Sequence, residues 1–495
     1  MKLRPQHAAD FYKTGHIFQY EPGCTEVYSN YTPRSRKYAT VLPDFDNKVV
    51  NYGLQGVLKW LLRDLWNAEF FKQPKEQVIA AYKRRMDLGL GEGAVPVDHM
   101  AALHDLGHLP VLIRALPEGA RVNLRVPLWT IRNTLPQFYW ITNYLETQLS
   151  SECWKTVNNA TVAYEFYRLL KKYALRTGCP VEFVKWQGHD FSMRGMSGIY
   201  DASQSGSAHL LSFYGTDTIT ALDYLEDYYG GSSTFLGGSV PATEHSVMCM
   251  GKRGGELATI TRIIQDLYPK GVVSVVSDTW NFWDVITKFA AALKPIIEAR
   301  QPDPNGLMKV VFRPDSGDPF LILCGDPSAL PGSPAYKGAI QCLWEVFGGT
   351  VNQQGFKVLN PIVGLIYGDS ITLPLAECIL ARCEAMGFCT SCLVFGIGSY
   401  TYQCATRDNF GQAIKSTFGV VNGEDRELFK DPVTDSGMKK SAQGLLRVEK
   451  EGDDYVLYDR QTREQEKAGA LEPVFLNGLL LRDDNVANIR ARLGV

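Results

Sequence analysis

The chain has 495 residues, with 51 lysines and arginines against 53 aspartates and glutamates, and a formal net charge of −2. This balance lacks the basic surplus typical of nucleic-acid-binding proteins, so we expect no nucleic-acid partner. Hydrophobic residues make up 45% of the chain, which excludes a disordered protein, and no apolar stretch is long enough to cross a bilayer. With no secretory segment at its start and scattered cysteines, a cytoplasmic protein without membrane attachment is expected.

The two ends of the chain share a mixed pattern. Apolar residues between positions 54 and 65 recur at helical spacing, residues 75–88 predict a second helix, and residues 122–129 predict a strand. Beyond residue 410 the pattern changes to hairpins, of which residues 445–450 and 455–458 form the clearest. We predict a second, smaller α+β domain in which residues 1–150 pack with a β-rich region at residues 401–495.

The middle of the chain, residues 151–400, alternates strand-like runs with helical patterns. Six runs, at residues 181–186, 209–213, 272–276, 308–312, 362–367 and 393–395, are each followed by Asp, Arg or Ser, and all but 272–276 also by glycine. Helical patterns at residues 281–298, 336–347 and 373–386 lie between several of them. This alternation predicts an α/β fold with a parallel barrel, whose active site forms from loops at the carboxyl ends of the strands.

The run that ends at Arg313 and Asp315 indicates the chemistry. A guanidinium can bind a phosphate with two parallel hydrogen bonds, and a carboxylate can accept from sugar hydroxyls or hold a metal. A phosphorylated sugar is therefore the expected ligand. Two other positions, Asp217 and Phe191, could have either a functional or a purely structural role when taken alone. Asp217 could cap the helix that begins near Thr218, and Phe191 could be an ordinary core aromatic.

Eight segments, in order and across nearly the whole chain, resemble the nicotinamide phosphoribosyltransferase family. They are residues 10–13, 52–55, 189–195, 215–218, 240–246, 274–278, 313–317 and 429–432. The resemblance implies a type II phosphoribosyltransferase with an irregular α/β barrel, which forms a homodimer with active sites at the subunit interface. Its reaction would join nicotinamide to 5-phosphoribosyl 1-pyrophosphate (PRPP), giving nicotinamide mononucleotide and pyrophosphate for NAD salvage. ATP would be a co-substrate, and Mg²⁺ would accompany the pyrophosphate groups without a dedicated protein site.

The resemblance also implies roles for individual residues. His245 would be phosphorylated by ATP, with Asp278 or Glu244 to fix its tautomer and Asp315 at the ribose. The nicotinamide would contact Asp217, Phe191, Asp10, Arg313 and the partner subunit's Tyr12. Phosphate and ribose would be bound by Arg194, Arg313, Asp315, Gly368, Asp369, Gly398 and Ser399, with Arg34, Arg407 and Lys415 from the second subunit. Lys439 resembles an ATP-facing residue, and Ser399 stands where the family has a glycine.

Three other functions remain open. A nicotinate phosphoribosyltransferase would need a cation rather than Asp217 at the pyridine carboxyl group, because like charges repel in a closed pocket. A barrel aldolase or isomerase would need a Schiff-base lysine at a strand end, and none of the six runs supplies one convincingly. A non-catalytic, nucleotide-binding or signalling protein would not need so dense a polar set.

Overall fold

The computed structural model describes residues 3–39, 42, 44–230, 234–368, 370–429 and 442–495. Two predicted site residues, Asp369 and Lys439, lie outside the described residues. The fold is mixed α/β and contains two large sheets, here called the barrel sheet and the end sheet. Among the described residues, no helix combines the length and the apolar character needed to cross a membrane.

The barrel sheet has six parallel strands, drawn from the middle of the chain. In spatial order they are Gly215–Thr216, Gly188–Phe191, Leu393–Gly398, Val363–Tyr367, Lys309–Arg313 and Val272–Val276. Their apolar side chains are buried, as expected for parallel strands covered on both faces. The segment 238–242 pairs in parallel with Gly215 at one edge of the sheet and with Ser274 at the other. This closing segment completes an irregular α/β barrel, and the predicted fold class is confirmed.

The end sheet has seven antiparallel strands, taken from both ends of the chain. In spatial order they are Glu424–Glu427, Ala413–Val421, Cys24–Thr32, Trp129–Asn133, Val111–Ala115, Glu472–Leu476 and Leu479–Leu480. The described residues also form three two-stranded ribbons: Lys48–Val50 with Arg121–Asn123, Gly349–Val351 with Lys357–Leu359, and Leu445–Glu451 with Asp454–Gln461. One buried apolar cluster contains side chains of both large sheets, for example Trp129 and Val275. The proposed boundaries at residues 150 and 401 stay a prediction.

Helices surround the barrel sheet and connect it to the end sheet. The longest, Glu146–Thr177, has 32 residues and is mostly buried. The others of at least six residues are Leu58–Leu65, Lys75–Leu90, Asp98–Leu106, Ile199–His209, Ile219–Tyr229, His245–Met250, Glu256–Thr261, Arg262–Leu267, Ala290–Ala299, Pro319–Cys324, Ala339–Phe347, Leu373–Ala385 and Val486–Leu493. Asn281 starts the predicted helix at its position, because its side chain accepts from the backbone N–H of Trp283 and Asp284.

Three predicted strands are wrong or displaced. Residues 181–186 are helical, and the strand begins only at Gly188. Residues 209–213 are the end of a helix and a turn. The apolar side chain of Leu210 is fully buried there. A short buried apolar run has no periodicity that separates a helix end from a strand. Residues 122–129 are divided between two strands, because Arg125 takes a left-handed conformation with φ 73°.

Candidate active site

A cavity of about 770 Å³ lies at the carboxyl ends of the barrel strands. Several predicted site residues line it: Phe191, Arg194, Asp217, Arg313, Asp315, Gly368, Gly398 and Ser399. Its remaining lining residues are Met193, Met196, Gly198, Ile199, Thr218, Ser370, Ile371, Tyr400 and Thr401. Residues far apart in the sequence therefore meet at one end of the barrel, as its topology requires.

Asp217 follows the shortest barrel strand and presents its carboxylate to the cavity. Its Oδ1 accepts hydrogen bonds from His189 Nε2 at 2.9 Å and from Ser239 Oγ at 2.5 Å. Within the described part of the chain, no group donates to Oδ2. Burial raises the pKa of this carboxyl group, but the bonds from His189 and Ser239 and the charge of Arg313 outweigh burial and hold the pKa below its usual value. The following helix has Thr218 at its N-cap with no side-chain capping bond, so the alternative capping role for Asp217 is wrong.

Phe191 ends the neighbouring strand with its ring at the cavity wall. The ring centroid lies 4.6 Å from that of His189. A side chain at position 396 would collide with it, since a Cβ on Gly396 would lie 2.5 Å from Phe191 Cδ2 and 2.7 Å from Gly368 Cα. Glycine is needed there so that the ring can pack directly against the adjacent backbone. Phe191 is half-buried, which leaves part of the ring available to a ligand.

Arg313 and Asp315 stand together at the end of a central strand. Arg313 Nη2 donates to the carbonyl oxygen of Thr243 at 2.8 Å, and Arg313 Nε lies 3.5 Å from Asp315 Oδ1. The Arg313 side chain is only 13% exposed and lines the cavity. Its positive charge is therefore shielded from bulk solvent and available to a ligand in the cavity. A strand end that holds a cation and a carboxylate side by side suits a phosphorylated sugar.

His245 begins a short helix directly after the closing segment. Its Nε2 lies 3.0 Å from Asp278 Oδ1, while Asp278 Oδ2 accepts from the backbone N–H of Asp315 at 2.9 Å and from Ser316 Oγ at 2.6 Å. Burial raises the pKa of Asp278, but these three hydrogen bonds outweigh burial and lower it. Glu244 instead accepts from the hydroxyl group of Ser246. Of the two predicted partners of His245, the structure pairs it with Asp278.

The turn after the strand Leu393–Gly398 accommodates the unusual serine. Gly398 is the N-cap of the helix Ser399–Gln403, and Ser399 is its first residue. Ser399 is not among the residues with positive φ, so a side chain is tolerated there. The backbone N–H groups in the first turn of a helix have no intrahelical acceptor. Gly398, Ser399, Tyr400 and Thr401 all line the cavity and bring such donors to it.

Eight of the predicted residues that the structure describes are not in the lining of this cavity: His245, Asp278, Glu244, Asp10, Tyr12, Arg34, Arg407 and Lys415. Asp278 is joined to the lining through the backbone N–H of Asp315. Tyr12 is 62% exposed, and Asp10 accepts a hydrogen bond from Thr147 Oγ1 at 2.7 Å. Burial, and then the positive charge of Arg407, lowers the pKa of Arg34, and the charge of Asp408 opposes this shift. Asp408 Oδ1 lies 3.9 Å from Arg407 Nε. Lys415 is exposed on the end sheet.

No sequence pattern indicates the groups that hold the predicted residues in place. His189 and Ser239 donate to Asp217, Thr243 accepts from Arg313, and Ser316 donates to Asp278. Serine and threonine are common in loops, and no residue pattern tells which of them will meet a given carboxylate. Ser370 lines the cavity with a positive φ of 57°, a conformation for which an asparagine or glycine would have been the usual signal.

Two other chemistries can be tested against the described residues. No group of three or more His, Cys, Asp or Glu side chains is arranged there to hold a metal ion. Lys309 is a lysine in a barrel strand, and burial lowers its pKa. It begins the strand Lys309–Arg313, however, and so lies at the end opposite to the cavity. A Schiff-base reaction in the cavity is therefore not supported by this lysine.

An α/β barrel with a cation, carboxylates and a glycine-containing turn at its carboxyl end defines a phosphoribosyltransferase of the type II class. The family model described as "Nicotinate phosphoribosyltransferase (NAPRTase) family" matches residues 186–478. The chain belongs to this family, and it is an enzyme that transfers phosphoribosyl groups.

Named relatives extend the similarity over the whole chain. The chain is 59% identical over 492 residues to a nicotinamide phosphoribosyltransferase of Acinetobacter baylyi, covering 99% of this chain and 97% of the relative. It is 32% identical over 443 residues to one of Mycoplasma pneumoniae, covering 86% and 92%. Among solved structures, the nicotinate-nucleotide pyrophosphorylase from Pyrococcus furiosus superposes with a TM-score of 0.57 at 14% identity, covering 99% of this chain and 94% of that one. The last similarity concerns the fold alone.

Proposed function

We propose that the enzyme condenses nicotinamide with PRPP to give nicotinamide mononucleotide and pyrophosphate, as a step of NAD salvage. The observation that carries this proposal is the carboxylate of Asp217. One of its oxygens is engaged by two donors, and the other has no donor among the described residues. A carboxylate held in this way accepts from a carboxamide N–H and repels the carboxylate of nicotinate. The relative that shares 59% identity carries the corresponding name.

The reaction requires positioning more than covalent help from the protein. Displacement of pyrophosphate from the anomeric carbon passes through an oxocarbenium-like sugar, and the incoming nucleophile is the pyridine nitrogen. Phe191 would stack on the ring while Asp217 holds its amide, which fixes the nitrogen in line with the sugar. Asp315 would stabilise the positive charge that develops on the ribose, and Arg313 the negative charge of the phosphates.

The phosphate groups of PRPP need cations and backbone donors. Arg194 would contact the pyrophosphate, and the backbone of Gly368, Gly398 and Ser399 would cradle the 5-phosphate. Mg²⁺ would enter with PRPP as part of the substrate. In that role it keeps most of its ligands from phosphate oxygens and water, so one carboxylate such as Asp315 suffices on the protein side.

ATP would act through His245. With Nε2–H donating to Asp278, the lone pair of Nδ1 is free to attack the γ-phosphorus of ATP. A P–N bond forms, the bond from phosphorus to the bridging oxygen of ADP breaks, and ADP leaves with that electron pair. The buried carboxylate of Asp278 stabilises the positive charge that the imidazole gains. Water later hydrolyses the phosphohistidine, which couples ATP hydrolysis to nucleotide formation.

A second copy of the chain would complete each site. Tyr12 would cover the open face of the nicotinamide, with Asp10 nearby. Three cations in or beside the end sheet would face the phosphates of the partner's cavity: Arg34, Arg407 and Lys415. The high exposure of Tyr12 and the proximity of two arginines support this proposal. The carboxylate of Asp408, 3.9 Å from Arg407 Nε, offsets part of the repulsion between the two arginines, and a bound phosphate would offset it further.

One assay tests the proposed reaction. Purified enzyme with PRPP and Mg²⁺ is given nicotinamide or nicotinate, with and without ATP, and pyrophosphate release is measured. We expect release with nicotinamide, a much lower rate with nicotinate, and stimulation by ATP. Release with nicotinate alone would instead identify a nicotinate phosphoribosyltransferase, and release with neither base would refute the proposed reaction.

A further inference from the structure

We propose that His189 and Ser239 are positioning residues that set the choice between a pyridine carboxamide and a pyridine carboxylate. The inference rests on the proposed function and deepens it. Neither residue needs to touch the substrate. Both act on Oδ1 of Asp217, at 2.9 Å and 2.5 Å, and thereby decide how its second oxygen meets the ligand.

The two donors come from separate parts of the barrel. His189 belongs to the strand Gly188–Phe191, and Ser239 to the closing segment 238–242. Donors from two directions fix both the position of Oδ1 and the rotation of the carboxylate about its Cβ–Cγ bond. A single donor would leave that rotation free, because this terminal torsion has broad minima. The second oxygen is therefore presented to the cavity in one orientation.

The His189 ring is itself held in place. A Cβ added to Gly215 would lie 2.6 Å from His189 Nδ1, so only the absence of a side chain at position 215 lets the ring lie against the neighbouring strand. The ring of Phe191 covers another side at a centroid distance of 4.6 Å. The His189 side chain is 12% exposed. These contacts restrict the ring, so that Nε2 points at Asp217.

Loss of the donors would change selectivity in two ways. The carboxylate could rotate, so that the carboxamide would bind less tightly. It would also ionise less readily, because burial raises the pKa of Asp217 and the lost bonds are among the interactions that oppose it. A protonated carboxyl group can donate to nicotinate instead of repelling it. Binding of the carboxamide is weakened and binding of the carboxylate is strengthened, so the nicotinamide-to-nicotinate ratio of kcat/KM falls.

The test compares variants that differ in hydrogen bonding but not in size. His189→Met removes the donor, and His189→Gln has the same length but retains an N–H near the position of Nε2. Steady-state rates are measured with nicotinamide and with nicotinate at saturating PRPP and Mg²⁺. For His189→Met we expect the KM for nicotinamide to rise about tenfold, as for the loss of one hydrogen bond to a charged group. The kcat should change much less, because the bond serves ground state and transition state alike.

The conservative variant separates positioning from mere packing. His189→Gln should recover most of the nicotinamide-to-nicotinate ratio of kcat/KM, and Ser239→Ala should lower that ratio in the same direction as His189→Met. If His189→Met fails to fold, Ser239→Ala decides alone. Unchanged ratios in variants of an enzyme that uses nicotinamide would overturn this inference and leave the proposed function intact. A wild-type enzyme inactive with nicotinamide would overturn both.

Discussion

Replacing Asp278 by asparagine should reverse the tautomer of His245. In the wild type, one oxygen of Asp278 accepts from His245 and the other accepts from Asp315 and Ser316. An asparagine has one oxygen, which keeps two hydrogen bonds if it faces Asp315 and Ser316 but only one if it faces His245. The first orientation is favoured by one hydrogen bond, about 1 kcal/mol. The amide N–H then points at Nε2, which must accept, and the proton moves to Nδ1.

The magnitude follows from what is lost at each nitrogen. A hydrogen bond to a charged group contributes about 1.5–3 kcal/mol. Because the His245 side chain is 47% exposed, solvent weakens the bond and the lower value applies. Its loss slows phosphorylation by a factor of about ten. The reversed tautomer adds a second cost. A lone pair on Nδ1 requires the proton to return to Nε2, where this N–H would face the amide N–H of the new asparagine, at a further cost of about 1–3 kcal/mol. We expect phosphorylation of His245 to slow by about 100-fold.

The assay measures transfer of the γ-phosphoryl group from labelled ATP to the protein, together with the ATP stimulation of pyrophosphate release. Synthesis without ATP should persist in Asp278→Asn, because the bonds to Asp315 and Ser316 survive. His245→Ala is the reference for complete loss of coupling. Ser316→Ala is the matched control, since it removes a bond to Asp278 without touching the histidine. Phosphorylation of Asp278→Asn within twofold of the wild-type rate would refute the reasoning.

Three further predictions concern nicotinamide binding, stability at low pH and the dimer. Phe191→Leu should raise the KM for nicotinamide about two- to tenfold through loss of ring stacking, as initial rates at varied nicotinamide will measure. The pKa of Asp278 is lower folded than unfolded, so its stabilising contribution is present above the usual value of 3.8 and is lost as the pH falls through the folded pKa. The difference in urea unfolding free energy between wild type and Asp278→Asn should therefore shrink from pH 7 to pH 3, and a constant difference would contradict this. Co-expressed Arg407→Glu and Asp217→Leu chains, each inactive alone, should regain about a quarter of the wild-type sites in mixed dimers, whereas no recovery would place both residues in one subunit's site.

Four barrel strands could be predicted from the sequence because they are buried on both faces. Residues 272–276, for example, are almost all valine, and the helix that follows them starts at a recognisable asparagine cap. The two strands before them could not be found, since Gly188–Phe191 and Gly215–Thr216 are short and polar. The apolar runs nearest to them, residues 181–186 and 209–213, belong to short helices or to a helix end. The closing segment 238–242 pairs through single bridges, which leave no periodic pattern in a sequence.

The candidate site was predictable as far as residues at strand ends are concerned. Phe191, Asp217, Arg313 and Asp315 do line one cavity. The sequence could not show that Asp217 accepts a hydrogen bond from His189 on the neighbouring strand, because that contact depends on how the two strands lie in register. The predicted roles of Arg34, Arg407 and Lys415 depend on a second subunit, and no pattern within one chain indicates how two subunits meet.

The closing segment gives the barrel a seam. Elsewhere in the barrel, neighbouring strands share two to five residue pairs. Here one bridge on each side joins the closing segment to the sheet edges, through Gly238 and Ala242. Local opening is easiest where fewest backbone bonds must break together. Amide hydrogens at the seam, such as those of Thr216 and Ser274, should exchange with solvent sooner than those inside the sheet. Because Ser239 lies in this segment and His245 follows it, base selection and ATP use would both depend on the part of the barrel that opens most readily.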